Sequence, residues 1–166
     1  CAHAMAGRRL TFTQHTMTRP APSSAPNPPL VTLSLAQLAH ARSGDKGDVA
    51  DIGLFAWEPL GFALLTHHVT VPVVTAHFAH LWPHTLTASS TTSSSNAPRV
   101  ECHALPQLLA QKWLLRDALN GGAASSLRSD NLGKTIAAQL LRLRIQVSQA
   151  EADAVLQATA RAIAAF

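Results

Sequence analysis

From Leu30 onward the chain alternates apolar and polar positions, and the period of that alternation changes several times. In "LVTLSLAQLAHA" Val31, Leu33 and Leu35 fall on one side, and the phase slips near Gln37, as in a strand carrying a bulge. "VADIGLFAW" reads as a second strand, joined to the first by the turn residues of "SGDKGD" in an antiparallel hairpin. Two helical patterns follow, "EPLGFALLTHH" and "TVPVVTAHFAHLW". "RVECHAL" returns to period two through Val100, Cys102 and Ala104, a third strand. Pro106 then opens a predicted helix that runs to Asn120 and ends at Gly121 and Gly122.

Asp130 is the expected N-cap of a further helix, in which Leu132, Ile136, Leu140 and Leu143 recur every three or four residues. "RLRIQV" either continues that helix or forms a strand. "SQAE" is a capping box for a last helix over 148–166, with Ala152, Val155, Leu156, Ile163 and Phe166 along one stripe. The sum predicts an α+β domain: a small antiparallel sheet with helices packed on one face.

Two stretches fall outside this pattern. Residues 1–29, with "TRPAPSSAPNPP", read as a disordered leader or linker. Residues 85–97, "TLTASSTTSSSNA", are polar and of low complexity, and read as a mobile loop inside a single domain over 30–166.

Composition narrows the partners. Only 13% of the 166 residues are charged, so part of the surface is expected to be covered, by a second copy or another protein. The net charge of +4 comes from scattered Lys and Arg, and Tyr is absent, which argues against nucleic acid and suits small anions. No apolar run approaches the length of a membrane span, and two cysteines make no disulfide framework; a cytoplasmic protein is expected.

The candidate chemistry lies in two glycine-containing strings. "ARSGDKGD" crowds Arg42, Ser43, Gly44, Asp45, Lys46, Gly47 and Asp48 into one turn. Gly44 and Gly47 permit positive φ and close approach of backbone N–H groups to an anion, with Arg42 and Lys46 supplying charge; the same residues also make an ordinary hairpin turn. The spacing of Asp45, Asp48 and Asp51 is not that of a calcium loop.

"GGAASSLRSDNLGKT" ends as a nucleotide-binding loop does, but Arg128 stands where such a loop requires glycine. Gly133 costs stability within a helix, so it points to a close backbone approach. Arg128, Ser129 and Lys134 surround a helix start that attracts anions, or they are solvated charges beside a capped helix. His77, His80 and His84, with His67 and His68 before them, have metal-ligand spacing but no acid or thiol to complete a site, and no metal is expected. Cys102 and His103 are adjacent in a strand and point to opposite faces, so they cannot pair.

Together, "LAHARSGDKGDVADIGLFA", "VECHALPQLLAQKWLLRDALNGG" and "SLRSDNLGKTIAAQLLRLRI" resemble the AtuA-like ferredoxin-fold domain over residues 30 to 147. That domain forms the C-terminal part of the acyclic terpene utilisation protein AtuA and also occurs free-standing. The resemblance implies a ferredoxin-like two-layer sandwich and a role beside a larger AtuA-type catalytic protein, in bacterial breakdown of terpenoid or branched acids as CoA thioesters. Lys112 departs from the asparagine common in the family, and the terminal helix from 148 is a local addition.

The ligand-binding set expected on this reading is Arg42, Ser43, Gly44, Lys46, Gly47, Arg128, Asp130, Gly133 and Lys134, holding a CoA thioester or a carboxylate. Asp45 or Asp48 would orient Lys46 or act as a general base, and no cofactor is expected beyond CoA as part of a substrate. Two alternatives stand beside the accessory role: a self-sufficient small hydratase or lyase acting on acyl-CoA, and a non-catalytic interaction module.

Overall fold

The computed structural model describes residues 29–82 and 98–165. The low-complexity stretch 85–97, His84 and almost all of the leader lie outside the described residues. β1 (Leu30–Ser34) is followed by a 3-10 turn (Leu35–Gln37), β2 (Ala39–Lys46) and β3 (Val49–Ala56). α1 (Pro59–His68) and α2 (Val71–His77) come next, then β4 (Val100–Leu105) and β5 (Ala110–Leu115). α3 (Ile136–Leu141), β6 (Arg144–Ser148) and α4 (Gln149–Ala164) complete the chain.

The strands make two antiparallel sheets, β1-β6 and β2-β3-β5-β4. The stretch read as one bulged strand therefore serves both sheets. At Ser34 the chain leaves the first sheet through a turn capped by Ser34 and Gln37, with the Ser34 N–H donating to the Gln37 side chain at 2.9 Å. The phase slip is a change of sheet and not a bulge.

A second correction concerns Pro106–Asn120, which is not a helix. Pro106–Leu108 forms one 3-10 turn, Leu109 takes a left-handed conformation (φ 49°), and the chain returns as the central strand β5. Leu, Gln and Lys favour helices, but pairing on both sides, with β3 and β4, overrides that preference. "RLRIQV" resolves as strand β6, and the "SQAE" capping box opens α4, with the Ser148 hydroxyl accepting the Glu151 N–H.

β3 alternates strictly: Ala50, Ile52, Leu54 and Ala56 are buried, while Asp51, Gly53 and Phe55 are only half-buried. The buried face joins Trp113 and Leu115 of β5 with Leu65, Val74, Phe78, Ile136 and Leu140 from the helices in one core. α1, α2 and α3 pack on the four-stranded sheet, and α4 packs on the small sheet and on α1. α1 starts at Glu58, whose carboxylate accepts the Leu60 and Gly61 N–H groups, and Pro59 suits its first turn. Among the described residues no single helix is long and apolar enough to cross a membrane, although α1 and α2 together, bent by 76°, have the length and composition.

Candidate functional site

Among the described residues no helix covers one face of the four-stranded sheet, and strand register sets what stands on it. One row across the strands reads His40, Phe55, Ala110, Leu105; the next reads Arg42, Gly53, Lys112, His103; the third reads Gly44, Asp51, Leu114, Glu101. Successive rows on one face lie about 6.8 Å apart. A row of aromatic and aliphatic side chains thus adjoins a row of cations.

An open pocket of about 480 Å³ occupies this face, lined by parts of all three rows together with Lys46, Leu108 and Lys134. The Phe55 ring leans across Gly53, where a Cβ would lie 2.7 Å from Cε2, and it stacks on His40 with centroids 5.3 Å apart. Lys112 donates to Asp51 at 3.0 Å, and Lys46 folds back to donate to the Asp45 carbonyl at 3.2 Å.

The two glycine-containing strings meet at this pocket. Ser43 is buried; its hydroxyl donates to the Gly133 carbonyl at 2.6 Å and accepts the Ala137 N–H at 2.9 Å. Gly133 has φ +63°, and a Cβ there would lie 3.4 Å from the Gly44 carbonyl oxygen. The close approach expected at Gly133 is therefore to the other string. Lys134 lies over Gly44, its Nζ 3.3 Å from where a Gly44 Cβ would be.

Asp130 does not cap a helix beginning beside it. The left-handed Gly133 interrupts the chain, α3 starts only at Ile136, and Leu132 lies outside it, 38% exposed. Instead the Asp130 carboxylate accepts the Lys134 N–H (2.7 Å), the Thr135 N–H (2.9 Å) and the Thr135 hydroxyl (2.6 Å). Burial pushes the Asp130 carboxyl up, but the Thr135 hydroxyl and N–H, the Lys134 N–H and the Lys134 charge outweigh it and hold the group below its ordinary range. The Lys134 and Thr135 N–H groups just before α3 are thus occupied by Asp130, and the Ala137 N–H by Ser43.

The remaining candidates divide. Arg42, Ser43, Gly44, Asp45, Lys46 and Lys134 line the pocket. Gly47 sits at the hairpin tip with φ +66°, and Asp48 beside it accepts the Leu119 N–H at 2.9 Å, fastening the tip to the segment after β5. Arg128 turns elsewhere: its Nη1 donates to the Ala118 carbonyl at 2.6 Å and its Nη2 to the Leu81 carbonyl at 2.8 Å. With Asp130 it lines a second cavity of about 340 Å³.

Sequence reasoning did not include Asp51, Lys112, Phe55, Leu105 and Leu108 in the site. No alternation in "AQKWLL" marks the strand that carries Lys112, because Trp113, Leu114 and Leu115 are consecutive apolar residues.

The histidines stay apart from this face except His40 and His103. The His77 Nε2–H donates to the Gln139 carbonyl at 2.9 Å, and His67 packs edge-on against His68. Burial first, then His67, hold His68 below the usual imidazole range against the pull of Glu151. Among the described residues no group of three His, Cys, Asp or Glu side chains is placed to hold a metal. Cys102 packs against the helix-side core, where burial pushes its thiol up, while His103 stands on the open face 3.6 Å from Glu101.

Compared with known families, residues 33–146 match the AtuA ferredoxin-like domain. No curated protein and no solved structure matches the chain.

Proposed function

Because the chain belongs to the AtuA ferredoxin-like domain family, we propose that it is an accessory subunit or domain of an AtuA-type complex that binds an anionic ligand, a CoA thioester or a carboxylate. The observation that carries this reading is the junction of the two strings: Ser43 bonded to Gly133, with Lys134 laid over Gly44 beside Arg42 and Lys112. A hairpin tip used only for turning has no need of a lysine brought from 90 residues away. The setting is the breakdown of terpenoid or branched acids, in the cytoplasm, with a larger AtuA-type catalytic protein and a second copy of this chain as partners.

The test is direct. Acetate, hexanoate and coenzyme A are titrated into the purified chain and into its Lys134→Ala variant, followed by calorimetry or amide NMR. Loss of one charge-assisted contact weakens binding by roughly 1.5–3 kcal/mol. Equal affinity in both proteins, or no binding of any anion, removes the ligand reading and leaves an interaction module. Co-purification with the large AtuA-type protein tests the subunit role.

A second reading, a hydratase or lyase acting alone, draws on the Asp45 carboxylate at the same pocket as Lys134. Turnover of acyl-CoA thioesters by the pure chain, abolished by Asp45→Asn, would establish it in place of the accessory role.

A further inference from the structure

The pocket is not uniformly polar, and its two ends differ in what they can hold. We infer that its ligand is a carboxylic acid with an apolar body, seated with the carboxylate between Arg42 and Lys134 and the body along Phe55, Leu105 and Leu108. This rests on the reading of the pocket as an anion site and chooses between the two ligand classes left open there.

Three features, the occupied backbone donors, the engaged lysines and the lining carboxylates, disfavour a polyphosphate group over a single carboxylate. Phosphates are held by free backbone N–H groups at helix starts, and here the Lys134, Thr135 and Ala137 N–H groups already serve Asp130 and Ser43. Two of the four lining cations are engaged, Lys112 by Asp51 and Lys46 by its neighbouring carbonyl. Arg42 and Lys134 have no carboxylate at ion-pair distance among the described residues. The Asp45 and Asp51 carboxylates share the lining and repel a multiply charged anion far more than a single carboxylate.

The apolar end is built with equal care. Leu105 and Leu108 are 39% and 64% exposed and line one pocket with Phe55, a cluster instead of single exposed side chains. They are held there by Leu109, which at φ 49° has a conformation leucine adopts only when its surroundings impose it. Its carbonyl accepts the Ala56 N–H at 2.9 Å, its N–H reaches the Pro106 carbonyl at 3.1 Å, and its side chain packs against the core. The constraint turns the β4–β5 connection, and Leu108 lines the same pocket as Phe55. The row of apolar side chains and the row of cations are about 6.8 Å apart, roughly the reach of an extended six-carbon chain from its carboxylate.

The experiment compares acetate, hexanoate, inorganic phosphate and coenzyme A on the full chain, then repeats acetate and hexanoate with Leu108→Ser. Leu108 is mostly exposed, so the variant folds, and circular dichroism checks it. Hexanoate is expected to bind about tenfold more tightly than acetate, the effect of roughly two buried methylenes, and phosphate no more tightly than acetate. Leu108→Ser is expected to remove most of the hexanoate advantage and leave acetate unchanged. If acetate and coenzyme A bind and respond to Lys134→Ala but hexanoate has no advantage, or coenzyme A binds more tightly than hexanoate, this inference falls and the anion site stands. Should no anion bind, both fall.

Discussion

Removing the Ser43 hydroxyl tests the junction on which the site depends. Ser43→Ala leaves the Gly133 carbonyl and the Ala137 N–H without their partner, and both residues are buried, Ala137 to 5% exposure. Each bond contributes about 1–1.5 kcal/mol, and a buried group left unpaired costs more, so the loss comes to about 2–4 kcal/mol. With a urea m-value of about 2 kcal/mol/M, the unfolding midpoint falls by about 1–2 M. Hydrogen exchange at Ala137 should accelerate ahead of the rest of α3. Thr135→Ala is the control, since Thr135 is exposed and its hydroxyl bonds are open to water. A midpoint shift for Ser43→Ala no larger than that of the control would refute the argument that the hydroxyl joins the two strings.

Three further predictions concern the same region. At Gly122, φ is +76° and a Cβ would lie 2.5 Å from the Gly47 carbonyl oxygen, so Gly122→Ala should cost about 3 kcal/mol or more in thermal unfolding; Gly47→Asn, at φ +66° with nothing within 4 Å, should cost under about 1 kcal/mol. The Asp130 carboxyl is held below its ordinary value of 3.8, so the stability it contributes is present above that pH and is lost as pH falls through the folded-state value. An NMR titration of the Lys134 and Thr135 amides should accordingly give a midpoint below 3.8, and a midpoint above it would contradict the bonding described. Asp51→Asn frees Lys112 and removes one negative charge from the pocket, so hexanoate affinity should rise by about 1 kcal/mol, more at low salt; an unchanged affinity would place the carboxylate away from Lys112.

Local signals were legible where neighbours in sequence decide the structure. The β2–β3 hairpin, the α1 and α2 helices, the period-two β4 and the Ser148–Glu151 capping box all follow from residues a few positions apart. The Ser34–Gln37 cap was present in the sequence as well, and reading it would have ended β1 where the chain changes sheets. β5 was beyond such reasoning. "LLAQKWLL" has the composition of a helix, and only the pairing of Trp113 with Ile52 and Cys102, both distant in sequence, makes it a strand. With β5 read as a helix, Lys112 could not be placed on the open face, and Ala110 and Gln111 were lost from the pocket with it.

The same distinction explains what the two glycine-containing strings encode. Each was read as a loop offering backbone donors to a ligand, yet their glycines serve one another. Gly133 lets the Gly44 carbonyl approach, Gly44 leaves room for the Lys134 ammonium, and Gly122 lets the hairpin tip at Gly47 come within contact. Ser43 and Asp48 bond across the same junction, and Asp130 fixes the segment that carries Lys134. Most of the residues expected to touch a ligand therefore hold the protein to itself, while Arg42 and Lys134 line the pocket with no carboxylate at ion-pair distance among the described residues. The junction comes first in the physics. A lysine on a segment without an extended helix can be aimed at a sheet face only if that segment is locked, and the serine, the glycines and Asp130 supply the lock. Two strings so far apart belong together because neither can form the site without the other.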